Sequence, residues 1–321
     1  MARARRAAAG KCVEGWCVIS ARRCNCETAD GKSLGSLTPR VPRHNLRESR
    51  PAEGVKNRMT TPPRTLESRA DLATSRRHYE HAPIIEAVLS INIVPPLADV
   101  RRLASLGTGE EARYPQRAPV LVMQSTFSVN PMAGQTSVSQ DQRALGYAFM
   151  NPGRGVFQAR LDGFAYSWLA PYDTWESFRD EASRLGSKYA TLGDAGTRIN
   201  RISLRYVNRL DLAVPVGELK DYLLTAPDIA PGLSQVMAGF MMQLDLPQPD
   251  LPDAVMVVRE GIVAPPRPDT VSILLDIDLT QTVDLGLTDQ EVWTTNFEAL
   301  HIRADEAFER SITDKVRKVI R

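Results

Sequence analysis

The sequence predicts an α+β fold: an antiparallel sheet with long helices packed on one face, built as two strand, helix, three-strand, helix halves. Three observations predict it. Residues 198–215, RINRISLRYVNRLDLAVP, place Ile202, Leu204, Tyr206, Leu210 and Leu212 on one parity and Arg201, Ser203, Arg205, Arg209 and Asp211 on the other, the period-two pattern of a half-buried strand. Strands typically run about 5–6 residues, so one this long suits the centre of a curved sheet. Two stretches, near Trp175 and Trp293, carry apolar stripes at helical spacing. The same order of elements also occurs twice along the chain.

Taken in order, PIIEAVLSINIVP after Ala82 places Ile85, Ala87, Leu89, Ile91 and Ile93 on one side and Glu86, Ser90 and Asn92 on the other, which predicts the first strand. Pro95 and Pro96 stop it, and Leu97–Leu106 reads as a short helix closed by Gly107. Val120–Val129, Leu145–Met150 after a polar connection through Gly134, and Val156–Leu169 follow as three meander strands. Gly153-Arg154-Gly155 joins two of those strands; a phosphate-binding glycine loop would open a helix instead. Asp173 with Glu176 marks a helix start, and Trp175, Phe178, Ala182, Leu185, Tyr189 and Leu192 give that helix its buried stripe.

The second round opens with the strand at 198–215, followed by a short helix at Glu218–Leu224. Strands at Val236–Leu246, Val255–Val263 and Val271–Leu279 come next, then a helix from Asp289 to about Ile320. Its stripe of Trp293, Phe297, Leu300, Ala304, Ala307, Phe308, Ile312, Val316 and Val319 is long enough to cross a sheet. A long helix across a curved antiparallel sheet is a helix-grip arrangement, which sometimes leaves a cavity between helix and sheet. The halves fall at about 79–195 and 196–321, and the paired marks Ile93-Val94-Pro95 with Ala213-Val214-Pro215, and Trp175/Phe178 with Trp293/Phe297, point to an internal duplication.

Composition divides the chain. Residues 1–58 hold 13 Lys/Arg against 5 Asp/Glu, and the remainder 27 against 33. Residues 1–78 show neither period and read as a disordered basic arm. An alternative start at Met59 would keep every periodic segment. The mildly acidic core argues against nucleic acid, which needs a basic patch to displace counterions; the arm leaves a nucleic-acid or membrane tether as a minor alternative. All four cysteines, Cys12, Cys17, Cys24 and Cys26, lie in the arm, and their spacing lacks the paired C-x2-C knuckles of structural zinc. A cysteine-free core without a signal-peptide or membrane-spanning run predicts a cytoplasmic protein with no membrane partner.

Pro83-Ile84-Ile85-Glu86-Ala87, Gly163-Phe164 with Pro171-Tyr172 and Trp175, Leu204-Arg205-Tyr206-Val207-Asn208-Arg209, Leu275-Asp276-Ile277-Asp278, and Phe308-Glu309 with Ser311-Ile312-Thr313-Asp314-Lys315 form a combination over residues 79–321. In these marks the chain resembles a sporadically distributed, functionally uncharacterised bacterial family. The resemblance implies domain limits and no assigned chemistry.

The candidate functional residues form a polar sheet-face cluster: Glu86, Arg205, Arg209, Asp276 and Asp278. Asp276 and Asp278 are two apart and so project from one face. With Glu86 they would offer hard oxygen ligands to Mg2+ or Ca2+; the plainer reading is that Arg205 and Arg209 neutralise them across strands. His78, His81 and His301 are scattered, no nucleophile elbow occurs, and Ser311, Thr313 and Asp314 read as a helix irregularity or cap. The expectation is therefore a non-enzymatic cytosolic binding or regulatory module without a cofactor, holding a protein or small-molecule partner on the sheet face or in the helix-sheet cleft. A metal-dependent enzyme built on Glu86, Asp276, Asp278 and Arg205 is the alternative, and a nucleic-acid-binding saddle the second.

Overall fold

Among the described residues nine strands hydrogen-bond into one open antiparallel sheet: β1 (Ile84–Val94), β2 (Gln116–Asn130), β3 (Gln135–Asn151), β4 (Gly155–Arg160), β5 (Gly163–Leu169), β6 (Arg198–Ala213), β7 (Met241–Pro247), β8 (Ala254–Val263) and β9 (Thr270–Gly286). In this computed structural model the described residues are 79–130, 135–289 and 291–321, all in the compact unit Thr65–Arg321. The expectations for the arm at 1–78, for Met59, for the four cysteines and for Gly134 lie outside them. The helices are α1 (Val100–Ala104), α2 (Trp175–Ala190), α3 (Phe297–Ser311) and α4 (Asp314–Val319). Among the described residues no helix is long and apolar enough to cross a membrane.

The spatial order is β2-β3-β4-β5-β1-β6-β9-β8-β7. Two meanders thus run inward from opposite edges, and the last strand of each, β5 or β9, pairs with β1 or β6, which pair with each other. Register puts Leu89 beside Tyr166 and Leu204, Leu204 beside Leu279, and Leu279 beside Met256. One continuous apolar face results. Phe178 of α2 stacks on Tyr166, Tyr189 lies near Phe164, and Trp293 meets Phe164 edge-on, so both helical segments bury aromatic area against strand residues of that face. Gly186 lets α2 pass close to the second of these segments, since a Cβ there would lie 2.2 Å from the Trp293 ring.

Several expected elements differ in detail, each for a local reason. The expected strand Val156–Leu169 is the hairpin β4–β5. Its core-facing parity switches from odd (Phe157 and Ala159) to even (Phe164, Tyr166 and Trp168), which is what an intervening turn at Leu161 and Asp162 produces. β3 begins at Gln135, ten residues before the apolar run, because ladder hydrogen bonds to β2 form whatever the side chains. The strand expected from Val236 starts at Met241. The helix at Leu97–Leu106 shortens to α1 plus a 3-10 turn, and that at Glu218–Leu224 to the 3-10 turn Leu219–Asp221. Thr174, not Asp173, caps α2: its hydroxyl accepts from the Ser177 amide.

The long C-terminal helix is broken. It begins with a π-helical turn at Val292–Asn296, continues as α3, and ends at Ile312, whose extended backbone bridges Leu223 before α4 resumes. The Thr313 amide donates to the Tyr222 carbonyl and its hydroxyl to that of Asp221. Backbone partners supplied by residues 221–224 thus replace the helical ones at this point.

Candidate functional site

Three arrangements of polar groups stand out. The first holds the residues singled out from sequence. Glu86 of β1 pairs in register with Val207 of β6, and Val207 with Asp276 of β9, so Glu86 and Asp276 lie two strands apart on the face away from the helices. Arg205 grips Asp276 with two bonds of 2.7 Å, and Arg259 of β8 adds a third at 3.3 Å while lying 3.7 Å from Asp278. Arg259 is absent from the sequence-derived set, because its partner strand was not assignable there.

Asp276 is 1% exposed, so its charge is matched where water cannot reach it. Burial, with Asp276 next to it, raises the Asp278 carboxyl above the usual range against the pull of Arg205 and Arg259. The bond to Asp276 raises the Arg205 guanidinium further. Arg209 takes no part: it folds back on Asp211 at 3.0 Å, and Asp211 also accepts from Ser272. Glu86 makes no direct ion pair with this two-arginine, two-aspartate lattice but adds to the field that holds the Arg205 charge. Among the described residues no three His, Cys, Asp or Glu side chains come together as a metal-ligand group. What this lattice does chemically is tie β6, β8 and β9 together.

The second arrangement is a cavity of about 270 Å3 between the apolar face of the sheet and α3. Its lining includes Tyr172 from the turn before α2, Trp175 at the start of α2, Tyr206 and Asn208 of β6, and His301 and Phe308 of α3. His301 stacks flat on Trp175 at 4.2 Å, and its Nδ1 is 3.1 Å from the Tyr206 hydroxyl. The Trp175 indole donates to Glu298 at 2.7 Å, and the Asn208 amide to the Leu275 carbonyl at 3.1 Å. The Tyr172 hydroxyl is buried with the Tyr206 hydroxyl beside it, yet the two do not meet in a well-formed hydrogen bond. Burial raises both phenols well above their ordinary range, so each is a neutral O–H at physiological pH.

The third lies on the opposite flank of α3. A cavity of about 640 Å3 is lined by Leu244 of β7, Met256, Val258 and Glu260 of β8, and Arg303 and Arg310 of α3. Glu260 is 1% exposed, neither carboxylate oxygen has a hydrogen-bond partner, and burial alone pushes its carboxyl up to about 7. Arg303 is engaged by Asp250 and lies 3.8 Å from Glu306.

The sequence points to a helix-sheet cleft but assigns no residue to either cavity, although a signal exists. Asn208 continues the apolar parity of Leu204 and Tyr206, and Glu260 that of Met256 and Val258; both register with Leu275, so they share one row of the buried face. A polar residue on the dry parity of a strand is a better flag than a polar residue on the wet one. His301, set aside as scattered, belongs to the aromatic cavity. Ser311, Thr313 and Asp314 serve the helix break: they bond the Ala307 carbonyl, the Asp221 carbonyl and Arg317. No family model matches the chain, and no curated protein sequence matches it.

Proposed function

We propose that this protein is a non-enzymatic binding module that holds a small, largely apolar ligand in the cleft of Tyr172, Trp175, Tyr206 and His301. The observation that carries the reading is the Tyr172 hydroxyl, buried in an aromatic cavity with the Tyr206 hydroxyl beside it but no well-formed hydrogen bond. Leaving such a group unpaired costs about 1–3 kcal/mol. A ligand acceptor that meets it recovers that cost, and the aromatic walls supply rigid apolar area at little loss of side-chain entropy. Tyr79, Trp175 and Asn208 of the lining already bond Glu309, Glu298 and the Leu275 carbonyl, which suits recognition rather than turnover.

The same reading takes the fold as a helix-grip-like duplication whose halves meet at β1 and β6. It is supported by the matching places of β1 and β6 in the two meanders and by Pro95 and Pro215 just past their ends. In such a fold the space between helix and sheet is the natural ligand site. The test is chemical. The full chain, purified from cells that make it, is denatured and the released small molecules are identified by mass spectrometry, beside Tyr172→Phe. One compound near stoichiometry in the wild type, depleted several-fold in the variant, is the expected result. No compound in the wild type, or equal amounts in both, overturns the reading.

A further inference from the structure

We propose that the cavity on the other flank of α3 is a second, separate site, for a small organic cation: an alkylammonium whose head pairs with Glu260 and whose apolar body lies along Leu244, Met256 and Val258. Backbone geometry comes first. Glu260 sits on the parity that Met256 and Val258 bury, so the strand aims its carboxylate inward, and no residue within bonding distance answers it. An ionised carboxylate only accepts, through two oxygens, and leaving both unmet by the protein in a buried position is costly.

A ligand that satisfies it must bring several donors and a positive charge. An ammonium brings three N–H donors and the opposite charge, making short charge-assisted bonds. A hydroxyl would serve one oxygen and leave the charge standing, and an anion would repel it. Arg303, on the same wall, is occupied by Asp250 and flanked by Glu306, while Arg310 is exposed to solvent. The wall thus adds no unopposed buried cation to compete with the ligand. The volume, about 640 Å3, leaves room for a chain of several carbons beside the head. A carboxyl that titrates at about 7 fits the same picture, because a bound cation supplies the compensation that burial withholds.

Isothermal titration of the full chain with n-hexylamine at pH 8, with n-hexanol as the uncharged isostere, tests the proposal. Saturable single-site binding of the amine, about tenfold or more tighter than the alcohol, is expected from charge-assisted over neutral pairing. Glu260→Gln, nearly isosteric, should weaken the amine to the level of the alcohol. Ala307→Phe, which fills the cavity from α3 and keeps the carboxylate, should weaken both. Amine binding no tighter than alcohol binding, or undiminished in both variants, overturns the site. Tyr172 takes no part in this cavity, so neither result depends on the ligand of the aromatic cleft.

Discussion

Glu260→Gln has a pH-dependent effect on stability that can be worked out in advance. The carboxyl moves from an ordinary 4.5 to about 7 on folding, because burial disfavours its charge. A raised carboxyl means that the unfolded chain releases its proton first. Stability from this group is therefore full below about pH 4.5, falls as pH rises towards 7, and is constant above. The shift amounts to at most about 3.4 kcal/mol at 1.36 kcal/mol per unit, and less where the cavity in front of the carboxylate screens its charge. Between about 1 and 2.5 kcal/mol of it should appear between pH 5 and pH 8. Glutamine keeps the shape and removes the titration; the cost of its own unpaired amide, about 1–3 kcal/mol, is the same at both pH values and cancels. Urea unfolding of wild type and variant at pH 5 and pH 8 gives the double difference directly. A value below about 1 kcal/mol would refute the claim that Glu260 is buried without a partner.

Arg205→Ala removes both 2.7 Å bonds to a buried aspartate and leaves Arg259 alone to face it. A loss of about 3 kcal/mol in urea is expected, with Arg205→Lys between, since an ammonium cannot reproduce the two-pronged grip. Glu110, held down at about 2 chiefly by the Arg184 bonds at 2.7 and 2.8 Å and also by Lys188, should contribute stability above pH 4.5 that disappears as pH falls through 2. Glu110→Gln should therefore cost about 1–3 kcal/mol at pH 7, below the full shift because Arg184 is 37% exposed, and almost nothing at pH 2. Thermal unfolding at the two pH values checks it. Tyr172→Phe deletes a buried hydroxyl without a well-formed bond and should leave stability within about 1 kcal/mol of the wild type, measured in urea on ligand-free protein; a loss above that would mean its contact with the Tyr206 hydroxyl is a full hydrogen bond.

The sequence by itself determined the elements that obey a period. β1, β6 and α2 stand where alternation and the 3.6-residue stripe put them, because an element that buries one face must repeat its apolar residues with its own geometry. It also determined that Asp276 and Asp278 share one face of their strand, which follows from parity alone. Tertiary structure decided the rest. Which strand lies beside β9 is set by long-range pairing, so Arg259 as the second partner of Asp276 could not be read from spacing. The break at Ile312 depends on residues 221–224 arriving to take its backbone groups, a contact across some ninety positions that no local propensity encodes. Both cavities exist because α3 crosses the buried face between Asn208 and Glu260, and a sequence specifies the polar residues of such a row without stating where the covering helix leaves space above them.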